Sequence, residues 1–562
     1  MTQPRPTRLV IVGGVAGGAS AAARARRCDE NAEITLIERT PTVSFANCGL
    51  PYYIGPEIED RDKLLVAPAE FLAERFNIDV RTEHEALSID RDEKSIRVRN
   101  QRTGADEDIL YDKLILSPGA DPIRPPVEGV EAENVATIRY LSDADRARQI
   151  VRSDDVRRVA VVGGAYIGLE IAEQLRELGK DVVVVEKLPQ VMPALDPELA
   201  VEIREELEAN GVDVLTGDGL ARFTMADGRV TGLVLESGDP VDADAVILAM
   251  GVRPTSRLAD DAGLELGARS AIVVDEYMRT SDPNVYAVGD AAAYPHALLH
   301  APTPVALGGP ANRAGRIAGE HAVTGSARPF TPVLGTSVVR VFSKAAALTG
   351  LSEKAARSSG HQPRAVHIRA AHHAGYYPGG EPMTLKLVYA PDGRVLGAQA
   401  VGGSGIDKRI DVIATAIRFG ATVFDLAGLD LAYAPQFGAA KDPVHMAAFV
   451  ACNDLDRSDP VAQPTETFKD VQFVDVRAAA ELEALPLDSG GGEARHIPLH
   501  ELRSRIDELD RTRPTVTVCK SGLRGHVASR ILQQHGFANV RNLSGGALLR
   551  HQATRISPET VE

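Results

Sequence analysis

The sequence predicts an α/β protein: two doubly wound parallel sheets, then an α+β domain, then a compact α/β domain at the C-terminus. Two observations carry this. The pattern strand, glycine turn, helix, strand occurs at RLVIVGG to EITLIER and returns 150 residues further on at RRVAVVGG to DVVVVEK, which marks two copies of one supersecondary unit. After residue 328 the pattern changes to alternating strands, and later returns to strand–helix alternation. A chain of 562 residues holds about three or four domains of ~150 residues.

Apolar residues make up 44% and charged residues 25%, the balance of an ordinary globular protein, which excludes general disorder. The net charge of −16 argues against nucleic acid or an anionic membrane as the main partner. No window approaches the ~18–20 apolar residues of a membrane span. The start, MTQPRPTRLVIVGG, lacks the apolar stretch of a signal peptide, so a cytoplasmic location is expected. The four cysteines, Cys28, Cys48, Cys452 and Cys519, are too few and too scattered for a disulfide scaffold. Neither they nor the His372–His373 doublet has metal-ligand spacing, so no metal is expected.

RLVIV has strand length and β-branched residues, and the Ala-rich ASAAARARR after it is a good helix former. Between them lies Gly13-Gly14-Val15-Ala16-Gly17-Gly18. Glycines there let the backbone approach a pyrophosphate, and the helix N-terminus supplies free N–H groups, so this is a Rossmann-like dinucleotide turn. Val15 stands where the usual fingerprint has its second glycine. Glu38 closes the next strand, 20 residues after Gly18, where an acid accepts hydrogen bonds from a ribose. The second copy is Gly163-Gly164-Ala165-Tyr166-Ile167-Gly168, with Glu186 closing its second strand 18 residues later. An acid at that point accepts from a free 2′-hydroxyl and repels a 2′-phosphate, so NADH is expected over NADPH. Neighbouring Lys187 softens that preference and keeps NADPH as an alternative.

A third signal, TSDPNVYAVGD, is a strand with no helix–sheet unit of its own, expected to return to the first sheet and present Gly289-Asp290. From about Arg328 to Cys452, strands such as MTLKLVYA and RVLGAQAVG and a helix at IDVIATAIRFG form an α+β domain. The polar stretch NDLDRSDPVAQPTET reads as a linker. Strands VQFVDVR and TVTVCKSG, with helices HELRSRIDEL and HVASRILQQHG, make the last unit.

Together with the blocks LILSPGADP, VILAMGVRPTS and NVYAVGD, these residues resemble the flavoprotein disulfide reductases. The resemblance implies an FAD-binding domain at 1–118 and 255–325, an NAD(P)H-binding domain at 119–254 and a dimerisation domain at 326–452. A linker at 453–466 follows. It adds Arg39, Ser44, Asn47, Ser117, Gly119, Gly251, Gly289 and Asp290 to the cofactor-binding residues. Cys48, in SFANCGLPYYIG, has no C-x-x-x-x-C partner and is similar to the redox cysteine of the single-cysteine branch. That branch contains coenzyme A disulfide reductase, NADH oxidase and NADH peroxidase. A lone redox cysteine rests as a mixed disulfide or a sulfenic acid, and its thiolate is expected to be helped by a helix N-terminus and nearby cations. Coenzyme A contacts in the resemblance fall on Ser20, Arg24, Arg27, Ser44, Asn47, Asn312 and Lys441. Arg24 and Arg27 lie three apart on one helix face, suited to an ADP moiety. Tyr376 and Tyr433 of the partner subunit in a homodimer are implied as proton donors, with Tyr377 as substitute for Tyr376. The chain departs from the family at Phe76, a lysine there, and at Arg24, a glutamine there.

Residues 467–562 resemble a rhodanese domain. Cys519-Lys520-Ser521-Gly522-Leu523-Arg524 lies between a strand and a helix, a loop that wraps N–H groups around a sulfur and favours its thiolate, with Arg524 closing the cradle. Asp475 and Arg477 are expected to be structural. The two resemblances imply an FAD- and NADH-dependent enzyme that reduces coenzyme A disulfide, coenzyme A persulfide, polysulfide or other small persulfides. Two alternatives are an NADH oxidase or peroxidase working through a Cys48 sulfenic acid, and a redox sensor whose rhodanese module binds a partner.

Overall fold

The computed structural model describes residues 5–556. Expectations that extend over residues 1–4 and 557–562, at the two ends of the chain, lie outside the described residues. The chain divides into two compact units, one running to Val184 and resuming at Leu220–Gly335, the other comprising Val185–Gly219 and everything from Thr336.

The first unit begins with β1 (Arg8–Val12), α1 (Ala16–Cys28) and β2 (Glu33–Glu38), then α2 (Leu50–Ile54), β3 (Asp79–Thr82), β4 (Lys113–Leu116) and β5 (Val135–Thr137). The second copy of the motif follows as β6 (Arg158–Val162), α3 (Tyr166–Glu177) and β7 (Asp181–Glu186). Helix α4 (Pro197–Ala209) belongs to the other unit, and the first unit closes with β8 (Ala245–Leu248), β9 (Val285–Ala287) and α5 (Gly308–Thr324). The first sheet runs β9–β4–β1–β2–β3, all parallel. The NVYAVGD strand therefore returns to the first sheet, as its lack of a unit of its own predicts. In the second sheet β6 lies between β7 and β8, and β5 flanks β8. Helix α1 packs on α5 through glycines. A Cβ on Gly315 would lie 2.2 Å from the Gly17 carbonyl oxygen, and one on Gly319 2.2 Å from that of Ala21. Backbones this close fix the start of α1 against its neighbour.

The second unit holds an antiparallel sheet of β10 (Ser337–Val341), β11 (Lys344–Gly350), β12 (Arg364–Ala371), β13 (Pro382–Tyr389) and β14 (Val395–Gly402), in the order β10–β11–β14–β13–β12. Helices α6 (Ile406–Arg418) and α7 (Pro443–Leu455) follow. The C-terminal sheet is parallel, in the order β15 (Val461–Ala462), β19 (Val540–Leu543), β18 (Thr515–Val518), β16 (Gln472–Asp475), β17 (Glu493–His496). Helices α8 (Leu523–Gln534) and α9 (Gly546–Ala553) accompany it. The stretch 453–466, expected as a linker, is structured. Asp454 accepts from the Val461 N–H (3.0 Å) and the Tyr389 hydroxyl (2.6 Å), and β15 joins the C-terminal sheet. Its polar composition reflects buried hydrogen bonding rather than a solvated tether. Among the described residues no helix is long and apolar enough to cross a membrane.

Three polar residues, His367, Lys386 and Gln399, stand opposite one another across β12, β13 and β14 and meet the start of α4. Lys386, 1% exposed, places its ammonium 2.6 Å from Glu198, 2.8 Å from Asp196 and 2.9 Å from Glu353. Burial by itself lowers the pKa of Lys386, but the three carboxylates outweigh it and hold it above its ordinary value. Burial likewise raises Glu198, and Lys386 with His367 outweighs it and depresses its pKa. Glu198 therefore stabilises the fold above its unfolded pKa of about 4.3, and that stability is lost as pH falls through the depressed value. Lys386 stabilises below about 10.4 and loses its effect only as pH rises through the raised value. Lys386→Met leaves the buried carboxylates of Asp196 and Glu198 without their cation, so a loss of about 3–5 kcal/mol is expected in denaturant unfolding. The loss should stay level between about pH 5 and 9 and shrink in stronger acid.

Candidate active site

The two glycine turns share a geometry. Gly13 has φ +93° and Gly163 φ +115°, and a Cβ on either would strike the carbonyl oxygen of Ser117 (2.0 Å) or Ala249 (2.2 Å). A Cβ on Gly18 would lie 1.8 Å from the Gly13 oxygen, and one on Gly168 1.9 Å from the Gly163 oxygen. The first and last glycines of each turn are thus required by backbone contact. Val15 and Ala165 are the residues just before α1 and α3, where a side chain is tolerated. Glu38 is buried, accepting from the Gly14 N–H at 3.0 Å and from the N–H and hydroxyl of Thr40 at 2.9 Å. Its carboxylate is fixed at the rim of the first turn, which leaves lone pairs for a ribose. Arg39 donates to the Tyr140 hydroxyl (2.9 Å) and to Asp121 (3.0 Å). Gly119, Gly251 and Gly289 all have positive φ.

Cys48 sits in a single 3-10 turn, Asn47–Gly49, that runs into α2. Its loop is anchored to the first turn by the Ser44 N–H, which donates to the Gly14 oxygen at 2.7 Å. Ser44 takes the left-handed conformation (φ +46°), rare for a residue with a side chain and costing about 1–3 kcal/mol. The thiol is exposed, while partial desolvation and then the carboxylates of Glu170 and Asp290 push its pKa above the ordinary value. This corrects the expectation of cationic help: the chain's own charges nearest the sulfur are acids. Glu170 accepts from the Tyr52 hydroxyl at 2.9 Å. Burial raises the pKa of Asp290, and Arg139 pulls it the other way. Asn47 holds a buried Oδ1 without a hydrogen-bond partner. Glycine turns, the part-buried Asp290 in the Gly289–Ala291 helical turn and an unsatisfied amide oxygen together fit an FAD lying across this sheet.

Of the residues implied for coenzyme A, Ser20 donates to Asn312 at 2.6 Å. Arg24 is held by Glu320, Nε at 2.9 Å and Nη2 at 2.5 Å. Arg27 is exposed, its Nε donating to the Ala23 oxygen. The structure thus gives Arg24 an acidic partner from α5 that the sequence, 296 positions apart, does not reveal.

In the second unit the hydroxyls of Tyr376 and Tyr433 meet at 3.1 Å, both exposed. Tyr377 instead sets its ring edge-on to His373. Arg409, 1% exposed, donates to Asp442 (2.7 Å) and to the His372 oxygen (2.7 Å), tying together the segments that carry the two tyrosines. Lys441 is exposed beside Asp442. Glu186 is buried and accepts from the Leu188 N–H at 2.8 Å, with Lys187 exposed next to it.

Cys519 is 1% exposed, at the end of β18, and its sulfur accepts from the Gly522 N–H at 3.1 Å. Arg524 donates to both oxygens of Glu481 (2.7 and 2.6 Å), and its pKa is raised by Glu481 first and, to a smaller extent, by Cys519. The Arg524 hydrogen bond holds the Glu481 carboxyl down at about 2. Glu481, which no sequence pattern singles out, fixes the Arg524 guanidinium. Arg477 and Asp475 form a buried ion pair at 2.6 Å, and Arg477 also donates to the Leu485 oxygen (2.7 Å), which fits the structural role expected of them.

Residues 7–308, more than half of the chain, match the pyridine nucleotide-disulphide oxidoreductase family. The chain belongs to that family. The oxidoreductase also matches the family's dimerisation domain at 336–443 and a rhodanese-like domain at 461–548. A coenzyme A disulfide reductase of Staphylococcus aureus is 33% identical over 447 residues, 79% of this chain and 99% of that protein. The reduced CoADR-RHD of Bacillus anthracis superposes with a TM-score of 0.92 at 41% identity, covering 98% of both chains. The NAD-dependent persulfide reductase of A. fulgidus gives 0.90 at 38%, covering 96% of this chain and 99% of that one. A water-forming NADH oxidase of Lactobacillus brevis gives 0.77 at 26% and covers 80% of this chain. The family binds FAD and NAD(P)H, so the oxidoreductase is a flavoprotein carrying a C-terminal rhodanese-like domain.

Glu170→Gln removes the larger of the two charges that oppose a thiolate at Cys48. The pH profile of Cys48 alkylation, followed by mass mapping of the labelled peptide, is expected to move to lower pH.

Proposed function

We propose that this oxidoreductase uses NADH to reduce sulfur–sulfur bonds of coenzyme A disulfide and of coenzyme A or other small persulfides and polysulfides. Cys48 is the redox centre and Cys519 handles sulfane sulfur. The observation that carries the reading is the lone exposed thiol of Cys48 held on the first glycine turn, close to Asp290. The CoADR-RHD and the persulfide reductase both share nearly the whole chain, rhodanese-like part included, which supports a sulfur substrate over oxygen or peroxide.

On this reading FAD lies on residues 1–118 and 255–325 and the nicotinamide on 119–254. The flavin, when bound, supplies two-electron transfer from nicotinamide to sulfur. The chain's own part begins with the Cys48 thiolate, which attacks one sulfur of the substrate and forms a mixed disulfide as the other sulfur leaves. The departing thiolate needs a proton, and the Tyr376–Tyr433 hydroxyl pair, contributed across a homodimer, is suited to deliver it. Ser20, Arg24, Arg27, Asn312 and Lys441 bind the coenzyme A portion, with Arg24 exchanging part of its Glu320 contact for phosphate. At the second centre, Arg524 and the Gly522 N–H hold the anionic sulfur of a Cys519 persulfide.

Cys48→Ser is expected to abolish NADH-dependent reduction of coenzyme A disulfide while FAD absorbance per chain stays unchanged. Cys519→Ala should leave that reduction intact. Retained turnover in the Cys48 variant would defeat the assignment. For the nicotinamide, Glu186→Ser is expected to raise kcat/KM with NADPH relative to NADH. An unchanged ratio would mean that Glu186 does not face the ribose.

A further inference from the structure

The wall behind Cys519 is the turn after β19. Gly545 and Gly546 both have positive φ (+71° and +67°), the Ala547 N–H donates to the Cys519 oxygen at 2.8 Å, and the Leu548 N–H donates to the Lys520 oxygen at 3.2 Å. A Cβ on Gly546 would lie 2.5 Å from the Cys519 oxygen and 2.6 Å from the Ser521 nitrogen. Contacts this tight transmit any shift of the turn to the loop whose Gly522 N–H donates to the sulfur.

Ser544 opens that turn and is 3% exposed. Its hydroxyl is held by a residue of the preceding sheet. The His367 N–H donates to Ser544 Oγ at 2.8 Å, and His367 Nδ1 lies 3.0 Å from the same oxygen. His367 Nε2 lies 2.9 Å from Glu198 Oε1, the carboxylate that also accepts from Lys386. An ionised Glu198 only accepts, so Nε2 carries the proton and Nδ1 accepts from the Ser544 hydroxyl. The His367 N–H, both its ring nitrogens and the Ser544 hydroxyl are all paired in the interior, so the serine has one position.

We propose that His367 and Ser544 are positioning residues for sulfur transfer at Cys519. The sulfurtransferase loop takes its shape from the reductase's own sheet and not from the rhodanese-like domain alone. This rests on the sulfane-sulfur role proposed above for Cys519. The reaction used to probe it is transfer from thiosulfate to cyanide. The Cys519 thiolate attacks the outer sulfur of thiosulfate, sulfite leaves with the bonding electron pair, and cyanide then takes the sulfur as thiocyanate and restores the thiolate.

The test uses the full-length flavoprotein with three substitutions. Ser544→Ala removes the hydroxyl. His367→Gln places an amide near the Nε2 position and loses the side-chain bond to Ser544 while the backbone N–H bond stays, whereas His367→Asn keeps an amide oxygen near the Nδ1 position and loses the bond to Glu198. Three quantities are read: thiocyanate formation, the pH profile of Cys519 alkylation by iodoacetamide with peptide mapping, and NADH-dependent turnover at Cys48 as an internal control. Ser544→Ala and His367→Gln should each lower transfer about tenfold, as misplacement of a reacting group does. They should also move the alkylation profile to higher pH without changing NADH turnover, and His367→Asn should remain near wild type. The proposal is overturned if Ser544→Ala behaves as wild type, or if His367→Asn falls as far as His367→Gln. If a histidine variant does not fold, Ser544→Ala alone decides. A wild-type protein that forms no thiocyanate would instead refute the sulfurtransferase reading, and the alkylation profiles would still decide the proposal.

Discussion

The second unit is organised by one buried cation. Lys386 has no water to turn to, so the carboxylates of Asp196, Glu198 and Glu353 must converge on it. They come from two separate stretches of chain: Asp196 and Glu198 from the start of α4, Glu353 from the segment after β11. Gln399 completes the arrangement, donating to Asp196 at 2.9 Å and accepting from its N–H at 2.7 Å. A helix, a sheet and, through His367, the turn behind a reactive cysteine are placed by a single requirement that charge be matched in the interior.

The two cysteines proposed above as reaction centres are treated in opposite ways. Cys48 is exposed, on a short turn held by a strained serine, with acids as its charged neighbours. Cys519 is sealed under a loop of N–H groups with a guanidinium fixed by Glu481. The first arrangement suits a sulfur that must meet a bulky disulfide and be reduced in turn. The second suits a sulfur that must carry a labile, negatively charged atom without losing it to water.

Much of this was legible in the sequence because it depends on local covalent geometry. Gly13, Gly18, Gly163 and Gly168 have no alternative where a carbonyl lies within 2.2 Å, and each lies in a recognisable strand–turn–helix frame. Cys48 and Cys519 were legible for the same reason. What the sequence hid was pairing at long range. Nothing in residues 376 and 377 distinguishes two adjacent tyrosines in an irregular loop, and only the fold shows which hydroxyl reaches Tyr433. Glu320 opposite Arg24 and Glu481 opposite Arg524 carry no pattern of their own. Lys386 reads as one polar residue in the strand MTLKLVYA, where alternation suggests a solvated face, yet that strand is covered on both sides. The segment 453–466 misled for the converse reason, since aspartates that satisfy buried donors look in composition like those of a tether.

That segment also bears on where the molecule can be divided. Val461 and Ala462 are the outer strand of the C-terminal sheet, and Asp459 just before them binds His526 (2.7 Å). A fragment begun at residue 467 would leave β19 as a bare margin, its N–H and C=O groups free to template another chain. Aggregation of such a fragment would report the missing strand and not an unstable domain. An excision that respects the architecture starts ahead of Asp459.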